Sequence, residues 1–268
     1  MRFLKFAVHI LIFILLTVIT QLGGILYLVT VVIGRKITFD FKKSFALFVG
    51  LYLSASLLLV PLIAPIFGRV ALPLSGSLQP LNVMTCLLNR HYVRPELKSD
   101  LLTISNEMNS RYPGTKTSYL DANFPFFNGF PLFPHLSHND GKKVDLAFYY
   151  DEKLSGQPTN NAPSFIGYGI YEAPKAHEAN YPQLCRDKGY WQYGFLTNLI
   201  PKWSENKYQV NAEKTAELIS MLAANQSISK IFIEPHLKQR WGLSSIDKIR
   251  FHGCQTVRHD DHIHLQIK

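Results

Sequence analysis

Arg258-His259-Asp260-Asp261-His262-Ile263-His264, continuing through Leu265 to Ile267, is the stretch that organises the rest of this sequence. Its last part has the composition of a strand, expected over His262–Ile267. On a strand, side chains at i and i+2 share a face. His262 and His264 would then point to one side, while Ile263 and Leu265 enter a core on the other. Two imidazoles on one sheet face can approach one metal ion.

The partner cluster lies far upstream, in His135-Leu136-Ser137-His138-Asn139-Asp140-Gly141-Lys142-Lys143-Val144-Asp145. Five of the chain's ten histidines fall in these two short stretches. His138 and Asp145 are too far apart to share one short strand and both face a metal. Asn139-Asp140-Gly141 is a strong turn sequence, and a strand is expected to follow it over Val144–Tyr150. The turn lets His138 and Asp145 converge. Adding a histidine from the C-terminal strand makes two nitrogens and one carboxylate oxygen, which leaves the fourth position of a zinc ion to water. An HxH pair alone is weak evidence. HxxH, a suitably spaced Asp and HxxHxH together are far less expected by chance.

The 268 residues are 47% hydrophobic, enough for one sizeable core and a membrane portion. Residues 6–34 form an apolar run interrupted by little more than His9, Gln21, Gly23, Gly24 and a few Thr, and a second run spans about Phe45 to Phe67. A spanning helix needs about 20 apolar residues, so residues 1–68 are expected to form a transmembrane hairpin with helices at about 6–34 and 45–67. The first run is too long for the apolar region of a signal peptide, and no small-x-small cleavage site punctuates it. The connection Gly34–Lys43 carries four Lys or Arg against two in the N-terminal tail. The positive-inside rule then puts this connection in the cytoplasm and everything beyond Arg69 in the periplasm or extracellular space. Residues 1–69 hold seven Lys or Arg and one acid, so most of the net charge of +9 flanks the membrane segments. Charge placed there argues against nucleic acid as a partner.

Residues 69–79 are rich in Pro, Gly and Ser and are expected to be a linker. Residues 80–268 read as one α+β domain. Ser99 is expected to cap a helix carrying Leu101, Ile104 and Met108 and ending before Tyr112-Pro113-Gly114. Asn211 is expected to cap another, with Leu218, Met221 and Leu222 on its apolar face. Further strands are expected over Ile231–Glu234 and Ile249–Cys254. From about Glu152 to Trp203 no periodicity is sustained, which reads as long loops, either beside a site or peripheral. The three cysteines leave open a disulfide such as Cys185–Cys254 or free buried thiols.

The two histidine motifs resemble those of the zinc metallopeptidases that unite lysostaphin-type peptidases, D-Ala-D-Ala peptidases and the hedgehog N-terminal domain, whose signature is H-x(6)-D followed much later by H-x-H. The closest likeness is to the penicillin-insensitive murein endopeptidases, with HxxHxxGxxxD matched by His135, His138, Gly141 and Asp145, and HxDHxH matched by His259, Asp261, His262 and His264. The likeness in layout covers roughly residues 95–268, but only the two motifs are specific. It implies a small antiparallel sheet with flanking helices. It also implies zinc held by His138, Asp145 and His264, with His262 and His259 as the catalytic residues that move protons. His135 would support the site, and Asp260 and Asp261 would hold imidazole tautomers or face solvent. The implied activity is hydrolysis of a peptide bond, D-amino-acid-containing, in peptidoglycan peptides. The alternatives are a catalytically silent, zinc-stabilised binding module like the hedgehog domain, and a zinc peptidase or amidase acting on a peptide outside the cell wall.

Overall fold

The computed structural model describes residues 2–191, 193–194, 200–202 and 204–268. Of the stretch expected as loops, residues 192, 195–199 and 203 lie outside the described residues. In chain order the helices are α1 (Arg2–Thr20), α2 (Gly23–Lys36), α3 (Phe41–Ser54), α4 (Val60–Ile63), α5 (Val83–Leu87), α6 (Pro95–Arg111), α7 (Tyr181–Asp187), α8 (Ala212–Ala224) and α9 (Pro235–Arg240). The strands are β1 (Val70–Ala71), β2 (Leu78–Pro80), β3 (Tyr92–Val93), β4 (Thr117–Tyr119), β5 (Lys143–Ala147), β6 (Tyr150–Glu152), β7 (Pro158–Thr159), β8 (Tyr208–Val210), β9 (Ile228–Phe232), β10 (Ile249–Arg250) and β11 (His262–Ile267).

The fold is α+β. Its main sheet has six strands in the order β10-β9-β11-β5-β4-β2, with β11 near the middle. The inner pairings are antiparallel, as expected, but both outer ones, β10 with β9 and β2 with β4, are parallel. Against β5, His264 stands opposite Asp145 and His262 opposite Ala147. Ile263 and Leu265 are fully buried in a core with Val144 and Leu146, under Leu101 and Met108 of α6 and Leu218 and Leu222 of α8. Each such side chain contributes about 1.5–3 kcal/mol of burial. A slip of one residue would exchange these for the two histidines, so the core pins the register that positions the site.

Several boundaries differ from the sequence expectation. Helix α6 starts at Pro95 rather than after Ser99. Proline has φ preset and no N–H to satisfy, which suits a first helical turn. Asn211 caps α8 as expected, its side chain accepting from the backbone N–H of Lys214. The run expected as a strand through Tyr150 splits: β5 stops at Ala147, and β6 joins β7 and β8 in a separate three-stranded sheet. The strands expected at Ile231–Glu234 and Ile249–Cys254 appear as β9, three residues earlier, and the short β10. Residues 69–79 are built into the fold: β1 pairs with β3 and β2 joins the main sheet. Leu72 and Leu78 anchor them in the core, and Arg69 is itself buried.

Two helices are long and apolar enough to cross a membrane, Phe3–Thr20 and Phe41–Phe67. The second is α3 continued by a π-helical stretch Ala55–Leu59, α4 and a 3₁₀ turn Ala64–Phe67. The first apolar run is not one helix. It breaks at Gln21, where φ is 67°, and α2 folds back along α1. His9 Nδ1 lies 2.6 Å from the Tyr27 hydroxyl. With 14 residues, α2 is about 21 Å long, short of the roughly 30 Å of a hydrocarbon core.

Candidate metal centre

His138 reaches the site because the chain turns sharply after it. The Asp140 carboxylate accepts from the backbone N–H of Lys142 at 2.9 Å. Gly141 adopts φ of 82°, and a Cβ there would lie 3.2 Å from Arg69 Nε. Only glycine suits that combination of left-handed backbone and close neighbour. The chain then enters β5, and Asp145 emerges on the face it shares with His264.

His138 Nε2 lies 3.0 Å from His264 Nδ1 and 3.3 Å from Asp145 Oδ1, and His264 Nδ1 lies 2.9 Å from the same oxygen. All three residues are buried. Ligand atoms about 2.0–2.1 Å from a tetrahedral zinc stand about 3.3 Å apart, so the spacing fits such an ion. The hydrogen bonding supports the fit. His138 Nδ1 donates to the Ala122 carbonyl at 2.7 Å, which selects the tautomer whose lone pair is on Nε2. Asp145 Oδ1 has no hydrogen-bond partner among the described residues. Burial pushes the His264 imidazole down to about 3, so it too presents a lone pair. Burial pushes the Asp145 carboxyl up, but the imidazoles of His138, His262 and His135 outweigh it and hold the group well below the usual carboxylate range. Lone pairs and a carboxylate converge there in a buried space, an arrangement that a cation stabilises. The donor set is that of zinc among other divalent ions.

A second trio, His135, Asp145 and His262, also lies within metal-binding reach. Two of its atoms are already engaged, since Asp145 Oδ2 accepts from the Tyr168 hydroxyl at 2.8 Å and His135 Nδ1 donates to Asp121 Oδ2 at 3.2 Å, while His262 Nε2 has no hydrogen-bond partner among the described residues. Arg90 holds that Asp121 oxygen from its other side at 2.8 Å. The two oxygens of Asp145 therefore divide, with Oδ1 towards His138 and His264 and Oδ2 towards Tyr168 and His135.

His262 and His259 stand beside this centre, their ring centroids 5.0 Å apart. His262 Nδ1 donates to Asp261 Oδ1, while Asp261 Oδ2 accepts from the N–H of Gly169 at 2.6 Å. His262 Nε2 is thereby the free end of a fixed ring. Burial disfavours its charge, but Asp145, Asp261 and Asp260 together raise its pKa above the ordinary histidine value. His259 is pushed the other way, far down, by burial and by the imidazoles around it. Two adjacent imidazoles are thus biased towards opposite protonation states. Asp260 is fully buried rather than solvated, in a two-point pair with Arg258. Its carboxyl is pushed up to about 7 by burial, against the pull of Arg258.

The centre opens into a cleft of about 460 Å³ lined by His135, His259, His264, His252, Tyr171 and Thr256 among others. The disulfide Cys185–Cys254 ties α7 to the wall carrying His252 and Thr256, and Cys86 is a free thiol. A larger cavity of about 690 Å³ lies among α1, α2 and α3 and contains none of this chemistry.

Tyr168, Asp121, Arg90, His252 and Glu234 carry no motif of their own, and sequence reasoning missed them. Tyr168 comes from the irregular stretch after β7, and Asp121 and Arg90 from loops beside β4 and β3. The Glu234 carboxylate accepts from Tyr193 and, at 3.3 Å, from the N–H of His259, which braces the start of the histidine motif. No family model matches the chain, and no curated protein matches it.

Proposed function

We propose that this protein is a membrane-anchored, zinc-dependent peptidase that hydrolyses a peptide bond, D-amino-acid-containing, in peptidoglycan peptides on the outer side of the cytoplasmic membrane. The observation that carries the reading is the convergence of His138 Nε2, Asp145 Oδ1 and His264 Nδ1 within 3.3 Å of one another, beside the His262 and His259 imidazoles, with His259 and His264 lining a cleft. The likeness of the two motifs to those of murein endopeptidases supplies the substrate class and the expectation of a hedgehog-like zinc peptidase fold. The outward placement of the domain rests on the cations around Gly34–Lys43. The break at Gln21 adds to this, since it returns α2 to the end of the helices where α1 begins.

His138, Asp145 and His264 would hold a zinc ion, which would supply Lewis acidity and bring the pKa of a water to about 7. His262, whose pKa Asp145 and Asp261 raise, donates from Nε2 to the carbonyl oxygen of the scissile amide as negative charge develops there. The neutral His259 imidazole accepts the proton of the attacking water and delivers it to the leaving amine. Tyr168 holds Asp145 Oδ2, so that Oδ1 keeps its aim. The walls formed by residues 133–137 and 252–257 orient the peptide.

The test uses the full chain in detergent or nanodiscs, incubated with cross-linked muropeptides, with and without a chelator. New fragments that vanish with chelator and return with zinc are expected. Stoichiometric zinc without any product would overturn the peptidase in favour of a binding module. A chain that retains no zinc would overturn the metal centre itself.

A further inference from the structure

The domain is fastened to the upper half of the Phe41–Phe67 helix at two places. Phe67 packs against Phe126 and Phe127, with ring centroids 5.1 and 5.5 Å away, and Gln21 Oε1 accepts from the N–H of Phe126 at 3.0 Å. Lower down, the Tyr52 hydroxyl donates to the Leu87 carbonyl at 2.6 Å, and Asn89 Nδ2 donates to Ser56 Oγ at 3.1 Å. Arg90, the next residue, donates to the carbonyl of Phe133 and so ties the lip of the cleft to the same support.

These fastenings fix a depth. Tyr52 lies about 17 Å and Phe67 about 39 Å along the helix from Phe41, so the two fastenings straddle the outer face of a hydrocarbon core of roughly 30 Å. Between these fastenings the helix turns Leu57, Leu62 and Ile66 outward, Leu62 at 75% exposure. Whatever surrounds the helix there is apolar, and the domain edge bonded to it stands at that height. That edge carries large apolar side chains that stay well exposed: Val83 and Met84 of α5, Phe127 at 58% exposure and Phe133 at 60%. Phe133 also lines the metal-site cleft. Exposed apolar groups rimmed by polar residues mark a contact surface, and aromatic rings favour the headgroup boundary.

We infer that this edge, α5 with the loop through Phe127 and Phe133, is sunk into the headgroup boundary of the bilayer, so that the metal-site cleft opens beside the lipid surface. The partner is the bilayer itself. The inference rests on the membrane-spanning reading of the helices and not on the chemistry of the metal centre.

The test places a nitroxide on single cysteines of the full chain, in a Cys86→Ser background, reconstituted in phospholipid vesicles. Accessibility to oxygen is compared with accessibility to a water-soluble nickel complex. Phe127→Cys and Phe133→Cys should favour oxygen, as should the helix position Leu62→Cys. Leu154→Cys, fully exposed on the β6–β7 turn, should favour nickel. Nickel-dominated signals at 127 and 133 with an oxygen-dominated signal at 62 would overturn the inference and leave the spanning helix standing. A nickel-dominated signal at 62 as well would overturn the membrane reading beneath it.

Discussion

Tyr168→Phe isolates one hydroxyl. In the parent that hydroxyl donates to Asp145 Oδ2 at 2.8 Å and accepts from the N–H of Asp121 at 3.1 Å. Burial, reinforced by Asp145 and Asp121, raises its pKa well above the ordinary phenol value, so it remains a donor. Phenylalanine keeps the ring contacts to His135 and His262, with centroids 4.7 and 4.9 Å away, and leaves no cavity. What disappears is a hydrogen bond to a charged acceptor, worth about 1.5–3 kcal/mol, together with the only partner among the described residues for the buried N–H of Asp121, whose orphaning costs about 1–3 kcal/mol. With Oδ2 released, the carboxylate can rotate and Oδ1 loses its aim at His138 and His264. Loss of such an outer partner lowers metal affinity about 10–100-fold. Competition titration against a chromophoric zinc chelator measures the affinity, and melting with and without zinc separates it from general loss of stability. A folded Tyr168→Phe protein with parental zinc affinity would refute the division of labour between the two oxygens of Asp145.

His262→Ala should retain zinc and lose about 10²–10⁴-fold in turnover, the usual worth of a positioned proton donor; full turnover in that variant would remove His262 from the mechanism. Asp261→Asn removes a charge that raises the His262 pKa, so it should also retain zinc while moving the alkaline limb of the pH–rate profile to lower pH, which an unmoved profile would contradict. His91, buried and pushed down to about 4 by desolvation with Lys98 acting in the same direction, ties stability to pH. Below its unfolded pKa of about 6.5 the unfolded chain binds a proton that the folded chain refuses. Stability should therefore fall as pH drops from about 6.5 to 4, by about 3 kcal/mol in all, and level off below. The same pH slope in His91→Gln would show that another group is responsible. Replacing both Cys185 and Cys254 by Ser removes a cross-link spanning 69 residues and should cost about 4 kcal/mol by chain entropy, read as a lowered melting temperature; an unchanged melting temperature would contradict that ledger.

Period and turn chemistry are local properties, and they were legible. The strand His262–Ile267, the turn at Asn139–Gly141, the cap at Asn211 and the apolar segments of residues 1–68 follow from neighbours a few residues apart. Boundaries set by long-range packing were not. Residues 69–79 have the composition of a tether, but Leu72 and Leu78 find a core, and a strand forms where a partner strand waits. The first apolar run breaks at Gln21 because the fold offers Phe126 and α3 as neighbours to a returning helix, and hydropathy alone does not report that.

The sequence by itself determined the donor types and their convergence: two histidines on one strand face, and a turn that returns Asp145 towards His138. The tertiary structure decided how they are aimed. Which Asp145 oxygen is free depends on Tyr168, which imidazole is raised and which lowered depends on Asp145 and Asp261 against the surrounding imidazoles, and the lip of the cleft is held through Arg90 beside the segment bonded to the helix. These are contacts between residues far apart in the chain, and their energies come from burial and charge at distances that only the folded chain sets.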